Sequence, residues 1–329
     1  MDACRPLTRM AKARAFFRPL APTPTAMFPQ PWQFSSPPYY LVEGLENNDR
    51  RGGYASMLSV DDDGVPYSCD PRGGRRYHPL VVARYVLRMC SLAALTDDAG
   101  AFAAAERAAL ALVSSGEATG VWQPGADPDG MRGAVPSCIV QGTAISALVR
   151  VRHQAPLVVP RAIIERAVEA LIAPVSGGGT VTHSLGGPFF EEFESRSHVL
   201  NGCVYGLWAV YDAVDGLGLA ALNPVAQSVE SCLARLLPRY TTPNGWSLYA
   251  LDTYGYAPLA SVHYHQCHIR MFSLLHTRTG ERAYGAFAQR WTRALESGVT
   301  RYSVLAQKCA QVVWMRDVCG LPLANSIWN

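Results

Sequence analysis

A chain of 329 residues, 49% hydrophobic and 17% charged, can bury a sizeable core as one large domain or two ordinary ones. Its net charge of +3 is too small to argue for nucleic acid, and no apolar run reaches the length of a membrane span. Nine widely spaced cysteines indicate neither a disulfide framework nor a zinc site, so reduced, mostly buried thiols in a cytoplasmic protein are expected.

Residues 1–37 carry Arg5, Arg9, Lys12, Arg14 and Arg18, then many prolines, and lack the apolar stretch of a secretory signal. They read as a disordered or loosely attached lead-in. Residues 38–75 read as a β-hairpin region. Tyr54 to Val60 and Val65 to Tyr67 are strand-like runs around Asp61-Asp62-Asp63-Gly64, and an Asp-Gly turn between such runs signals a hairpin. The aspartates lack the later ligands of a calcium loop, so no metal is assigned there. Lys12 and Lys308 are the only lysines. Arginine's planar fork suits carboxylate or sulfate, although codon bias accounts for the same usage.

Residues 76–329 read as one helical domain. Pro79 opens a first helix with a stripe of Leu80, Val81, Ala83, Val86, Leu87 and Cys90. A second runs from Asp98 to Ser114, a third from Cys138 to Arg152 and a fourth from Pro160 to Ile172. Thr180 to Phe193 is extended. A fifth helix begins near Ser197, a suitable N-cap, and Asn223-Pro224 opens a sixth that reaches Arg239. The seventh and eighth follow Tyr264 and Glu281, and Arg301 to Met315 adds a helix or a strand. Helices in antiparallel pairs, with short turns on one side and long aromatic-rich loops on the other, close most easily into a toroid or a curved array. Function then lives in the long loops.

Three loop segments concentrate the chemistry: 189–202, 244–256 and 258–268. Tyr249, Tyr264, His265 and His268 lie just before and at the mouth of a helix, and proton transfer needs such a cluster. The same residue types also fill the rims of helical cores. Trp122 and Trp246 suit either a sugar-stacking platform or the core.

The run from Val199-Leu200-Asn201-Gly202 to Tyr211-Asp212, then Tyr249, Ala257-Pro258-Leu259-Ala260, Tyr264-His265, His268-Ile269 and Trp291, resembles the C-terminal helical domain of the glucuronyl C5-epimerases. Gln141 to Ser146 and Glu191-Glu192 extend the likeness upstream, so that it covers about residues 75 to 295. These enzymes convert D-glucuronate to L-iduronate in heparosan and heparan-type chains. The resemblance implies a mainly α fold, an incomplete (α/α) barrel or toroid, working as a homodimer on a glucuronate-containing polysaccharide. It implies an isomerase that removes the proton at carbon 5 and returns one to the opposite face. No organic cofactor or metal is assigned, because the substrate carboxylate stabilises the intermediate.

The resemblance further implies Glu192 and Tyr264 as opposed proton-transfer groups, with Tyr249 assisting. Its substrate-binding candidates are His265, His268, Arg196, Arg270, Asn201, Gln141 and Trp246. A phenol with an ordinary pKa of about 10 needs a nearby cation or donor to act as a base, a part open to His265, His268 or Arg270. Two departures stand out: Phe193 replaces a family tyrosine, and Asp252-Thr253 replaces an arginine-histidine pair. Two other readings remain, a polysaccharide lyase sharing the first step and a non-catalytic glycan-binding protein.

Overall fold

A computed structural model of the chain describes residues 59–69, 74–116, 118–123, 136–192, 197–251 and 257–317. The expected lead-in, 1–37, lies outside them. The chain falls into two compact units: one runs up to residue 196 and resumes over 202–232, and the other includes 197–201 and the chain from Leu233 onward.

The first unit opens with a hairpin. Strands β1 (Ser59–Val60) and β2 (Pro66–Cys69) pair antiparallel, and β3 (Arg75–Arg76) adds to the other edge of β2. Asp61 builds the turn: its Oδ1 accepts from the backbone N–H groups of Asp63 and Val65 at 3.1 and 2.8 Å. Gly64 closes it at φ +82°, where a glycine suffers no Cβ clash.

Helix α1 (Pro79–Thr96) has proline in its first turn and His78 as its cap, Nδ1 accepting from Leu80 N–H at 3.2 Å. Asp98 receives the N–H groups of Gly100 and Ala101 at the start of α2 (Ala99–Gly116). Helices α3 (Cys138–Gln154) and α4 (Arg161–Ile172) follow. α1 packs on α2 and α3, and α3 packs on α2 and α4. α3 is buried on nearly every side, as is helix α5 (Leu200–Leu217), so both belong to the core of their surroundings. The two approach so closely that a Cβ at Gly142 would lie 2.6 Å from the carbonyl oxygen of Tyr205. Between α4 and α5 a short antiparallel pair, β4 (Val181–Thr182) and β5 (Phe189–Phe190), carries the chain to Glu191 and Glu192.

The start of α5 corrects the sequence expectation. Ser197 does not cap it; the helix begins three residues later, at Leu200. Val199 pairs antiparallel with Ala250, and Leu200 N–H donates to Tyr249 C=O at 3.0 Å, so these backbone groups are held by a distant strand segment. His198 makes the bend at φ +50°. A 3-10 turn, Ala220–Leu222, leads directly into α6 (Asn223–Leu236).

In the second unit Ser261 caps α7 (Val262–Thr279), its Oγ accepting from Tyr264 N–H at 3.3 Å. Glu281 caps α8 (Arg282–Glu296) by accepting from Ala283 N–H at 2.8 Å. The final segment is helical: α9 (Gly298–Asp317) packs on α8, as α8 packs on α7. Cys90, Cys138, Cys203 and Cys232 are buried free thiols, with Cys267 half-buried and Cys309 exposed. Among the described residues no helix is long and apolar enough to cross a membrane.

The α3–α5 approach yields a test. Gly142→Val overpacks the contact and should lower the unfolding free energy by about 1–3 kcal/mol in urea titration. Gly298→Ala, where nothing lies within 4 Å of the added carbon, should leave it unchanged or raise it. An unaltered midpoint for Gly142→Val would contradict the close packing of these helices.

Candidate active site

Tyr249 and Tyr264 come together. Their rings lie 4.7 Å apart at 60°, and both side chains are half-buried. Tyr249 sits at a bend whose backbone is fixed from both sides: its N–H donates to Pro258 C=O at 2.7 Å and its C=O accepts from Leu200 N–H. Leu248 adds a bridge to Leu259, and Ala260 N–H donates to Ser247 C=O at 3.0 Å. Tyr264 stands in the first turn of α7, with the exposed ring of His263 edge-on at 5.4 Å.

Beneath this pair lies a polar cluster sealed in aromatic rings. His265 and His268 are both 0% exposed. Trp246 stacks on His265 at 3.8 Å and 10°, and donates its indole N–H to Ala260 C=O at 2.9 Å. His265 Nε2 donates to Trp291 C=O at 3.0 Å, and Trp291 donates its own indole N–H to Thr241 Oγ1. Ser247 Oγ lies between the two imidazoles, 2.7 Å from His265 Nδ1 and 2.9 Å from His268 Nδ1. Burial drives the pKa of His265 down to about 3, against a smaller opposing pull from the Trp291 carbonyl. It drives His268 well below the ordinary histidine value, with His265 and His263 adding repulsion. Both rings are therefore neutral near pH 7.

Three expectations are corrected here. His265 and His268 are not exposed substrate contacts, and, being neutral, they supply no positive charge to a phenolate. Trp246 is a core residue rather than a sugar platform. Trp122, left open between those roles, is also core: it is 1% exposed and its indole donates to Leu112 C=O.

Glu192 belongs to the other unit and is half-buried. The backbone of Glu191 places it, with N–H donating to Thr180 C=O at 2.7 Å and C=O accepting from Cys138 N–H at 3.0 Å. A Cβ at Gly202 would stand 3.0 Å from Glu192 Oε2, 3.2 Å from its Cβ and 3.3 Å from Cys138 Sγ. The carboxylate thus rests in the space that a missing side chain leaves on α5. Cys138 is fully buried, its thiol donating to Phe190 C=O at 3.5 Å. Its pKa is pushed well up, by burial first and by the Glu192 charge second.

Gln141 is also corrected from substrate contact to structural clasp. Its amide donates to the carbonyls of Gly120 and Ala167 while its oxygen accepts from Trp122 N–H at 3.2 Å, and Gln141 is itself 0% exposed. Asn201, 2% exposed in the first turn of α5, is likewise a buried residue rather than a surface contact. Arg270 is half-buried on α7. Arg196, Phe193, Asp252 and Thr253 lie outside the described residues. Among the described residues no group of three histidine, cysteine or acidic side chains is arranged for a metal ion.

Sequence reasoning missed Ser247, and it missed the seat that Gly202 and Cys138 make for Glu192. A signal existed for the histidines: 265, 268, 269, 272 and 275 form one helical stripe whose other members, Ile269, Phe272 and Leu275, are core.

Residues 136–293 match the family described as D-glucuronyl C5-epimerase C-terminus, which bears out the resemblance over that span. No curated protein matches. Solved structures do: cellobiose 2-epimerase from Bacillus thermoamylovorans aligns at 11% identity and TM-score 0.56, over 72% of this chain and 66% of that one. An unsaturated glucuronyl hydrolase from Bacillus sp. GL1 aligns at 16% identity and TM-score 0.44, over 67% and 62%. The chain spans a little under two thirds of either solved protein's length. The first likeness shows shared fold and bears out the expected helical toroid class.

The buried imidazoles set a pH dependence. Below about pH 6.5 the unfolded chain protonates both rings while the folded chain holds His265 neutral to about 3 and His268 likewise far down. Stability is complete above pH 6.5 and falls as pH drops, by about 1.4 kcal/mol per pH unit for each ring. Urea unfolding at stepped pH checks this; a free energy that stays flat from pH 6.5 to 5 would show that the rings are not held neutral.

Proposed function

We propose that this chain, with residues 136–293 matching the D-glucuronyl C5-epimerase C-terminal family, is a carbohydrate epimerase that converts D-glucuronate to L-iduronate residues in a polysaccharide. The observation that carries the reading is the half-buried phenol pair, Tyr249 and Tyr264, fixed 4.7 Å apart inside the family-matched span. Inversion at carbon 5 needs a group to take the proton from one face and a group to deliver one to the other. The proton is acidified by the adjacent carboxylate, over which charge spreads once it leaves.

In this scheme Tyr264 is one proton-transfer group and Glu192 the opposed one, their order depending on which epimer enters. Tyr249 assists Tyr264. The pairing of its half-buried ring with that of Tyr249, 4.7 Å away, supports the part of Tyr264. Gly202 and Cys138 support the part of Glu192 by giving its carboxylate a shaped, half-buried seat. With both buried histidines neutral, Arg270 and Arg196 are the candidates to neutralise the substrate carboxylate. The same scheme has the protein acting in the cytoplasm as a homodimer on heparosan-like chains, without an organic cofactor.

The test is incubation with heparosan in heavy water, read by NMR. The wild-type protein should place deuterium at carbon 5 of intact chains. Tyr264→Phe should cut incorporation by about 10²–10⁴-fold at unchanged circular dichroism. Full incorporation by that variant contradicts the role of Tyr264. Chain shortening with rising ultraviolet absorbance would identify a lyase, and binding with no incorporation a non-catalytic glycan-binding protein.

A further inference from the structure

The buried cluster holds more information than its distances, because each hydrogen bond needs one proton. Trp291 C=O can only accept, so the proton of His265 sits on Nε2. His265 Nδ1 is then bare and accepts from Ser247 N–H at 3.1 Å and from Ser247 Oγ–H at 2.7 Å. With its one proton directed there, the Ser247 oxygen can only accept at its 2.9 Å contact with His268. The proton of His268 therefore sits on Nδ1. That leaves His268 Nε2 a bare lone pair, fully buried and with no hydrogen-bond partner among the described residues. Buried acceptors in folded proteins are completed by a donor, from protein or from water.

The position of that lone pair is informative. Ser247 and Tyr249 are two residues apart, one on either side of Leu248, whose bridge to Leu259 fixes the segment. Tyr264 and His268 are four apart on α7 and share a face of it. Segment and helix meet in two rungs, Ser247 against His268 and Tyr249 against Tyr264. At that spacing the two side chains are neighbours on the helix surface, which brings the His268 ring beside the turn that bears Tyr264.

We propose that His268 is a positioning residue for the phenol pair, its bare Nε2 accepting a hydrogen bond from the Tyr264 phenol through one buried water. The functional consequence rests on the epimerase reading; the hydrogen-bond chemistry does not. Trp291, His265 and Ser247 hold the tautomer of His268, and His268 fixes the direction in which the phenol directs its proton. A neutral ring does this without introducing a charge beside the reacting oxygen.

Long-range nitrogen–proton NMR on the labelled full-length protein at neutral pH reads the tautomers directly. His265 should be protonated on Nε2 and His268 on Nδ1. Tyr264→Phe should move the His268 Nε2 resonance while leaving both His265 nitrogens in place. His268→Asn, which keeps a polar atom toward Ser247 but deletes the Nε2 acceptor, should slow carbon-5 exchange by about 5–10-fold. His268→Gln, which returns an acceptor to that place, should recover part of it. Protonation of His268 on Nε2 in the wild type, or a His268 Nε2 resonance indifferent to Tyr264→Phe, overturns the proposal whether or not the His268 variants fold. Absence of exchange in every form, with the NMR signature intact, strikes the epimerase reading and upholds the relay.

Discussion

One hydroxyl, that of Ser247, carries two histidines, and much of the second unit depends on the arrangement. A buried imidazole without its hydrogen bonds is costly, since desolvation of a polar group is recovered only by partners of matching geometry. Ser247 meets that need twice, at 2.7 and 2.9 Å, and Trp291 C=O meets it once more. Those contacts join the 240–250 segment to α7 and α7 to α8. The register of the segment against the helix follows from them, and with it the meeting of Tyr249 and Tyr264 on the neighbouring rung. Aromatic packing of Trp246 on His265 keeps water from competing for the same bonds. The polar cluster thus works as scaffold, and the proposed function leaves the chemistry to the half-buried phenols beside it.

The first unit handles its acidic residue differently. Glu192 is placed by backbone, through the two hydrogen bonds of Glu191, and by the absence of a side chain at Gly202. A carboxylate seated against buried sulfur and helix backbone is kept from swinging freely into solvent. Such restraint suits a proton-transfer group, whose geometry must hold within fractions of an ångström during reaction. Glycine at 202 and glycine at 142 act alike: each removes a Cβ where another group must come close, one a carboxylate and the other the backbone of α5.

The sequence reveals the helices well where their signals are local. Pro79, Asp98 and Glu281 mark helix starts because such signals lie in neighbouring residues, whereas the caps His78 and Ser261 are found only in the structure, Ser261 starting α7 ahead of Tyr264 rather than after it. Ser197 misleads, because the backbone around Val199 is held by Ala250, some fifty positions away, and no local pattern carries that pairing. The catalytic candidates divide along the same line. Tyr249 and Tyr264 are legible from their order in the chain and are found together. His265, His268, Gln141 and Trp246 bear polar or amphipathic groups that suggest a surface, yet each finds its partners inside. Their burial depends on Ser247, Trp291, Gly120 and Ala167, which sequence spacing does not bring near. The helical stripe of α7 could have placed the histidines on the core side; nothing local distinguishes the seat of Glu192.

The central claim is that protons leave and return at one carbon of an unbroken chain. Polysaccharide deuterated at carbon 5 of its glucuronate, incubated with the protein in ordinary water, tests it most directly. The account predicts that label is lost to solvent together with the appearance of iduronate signals and with chain length unchanged. Retention of the label, or its loss only alongside new unsaturated chain ends, would contradict it.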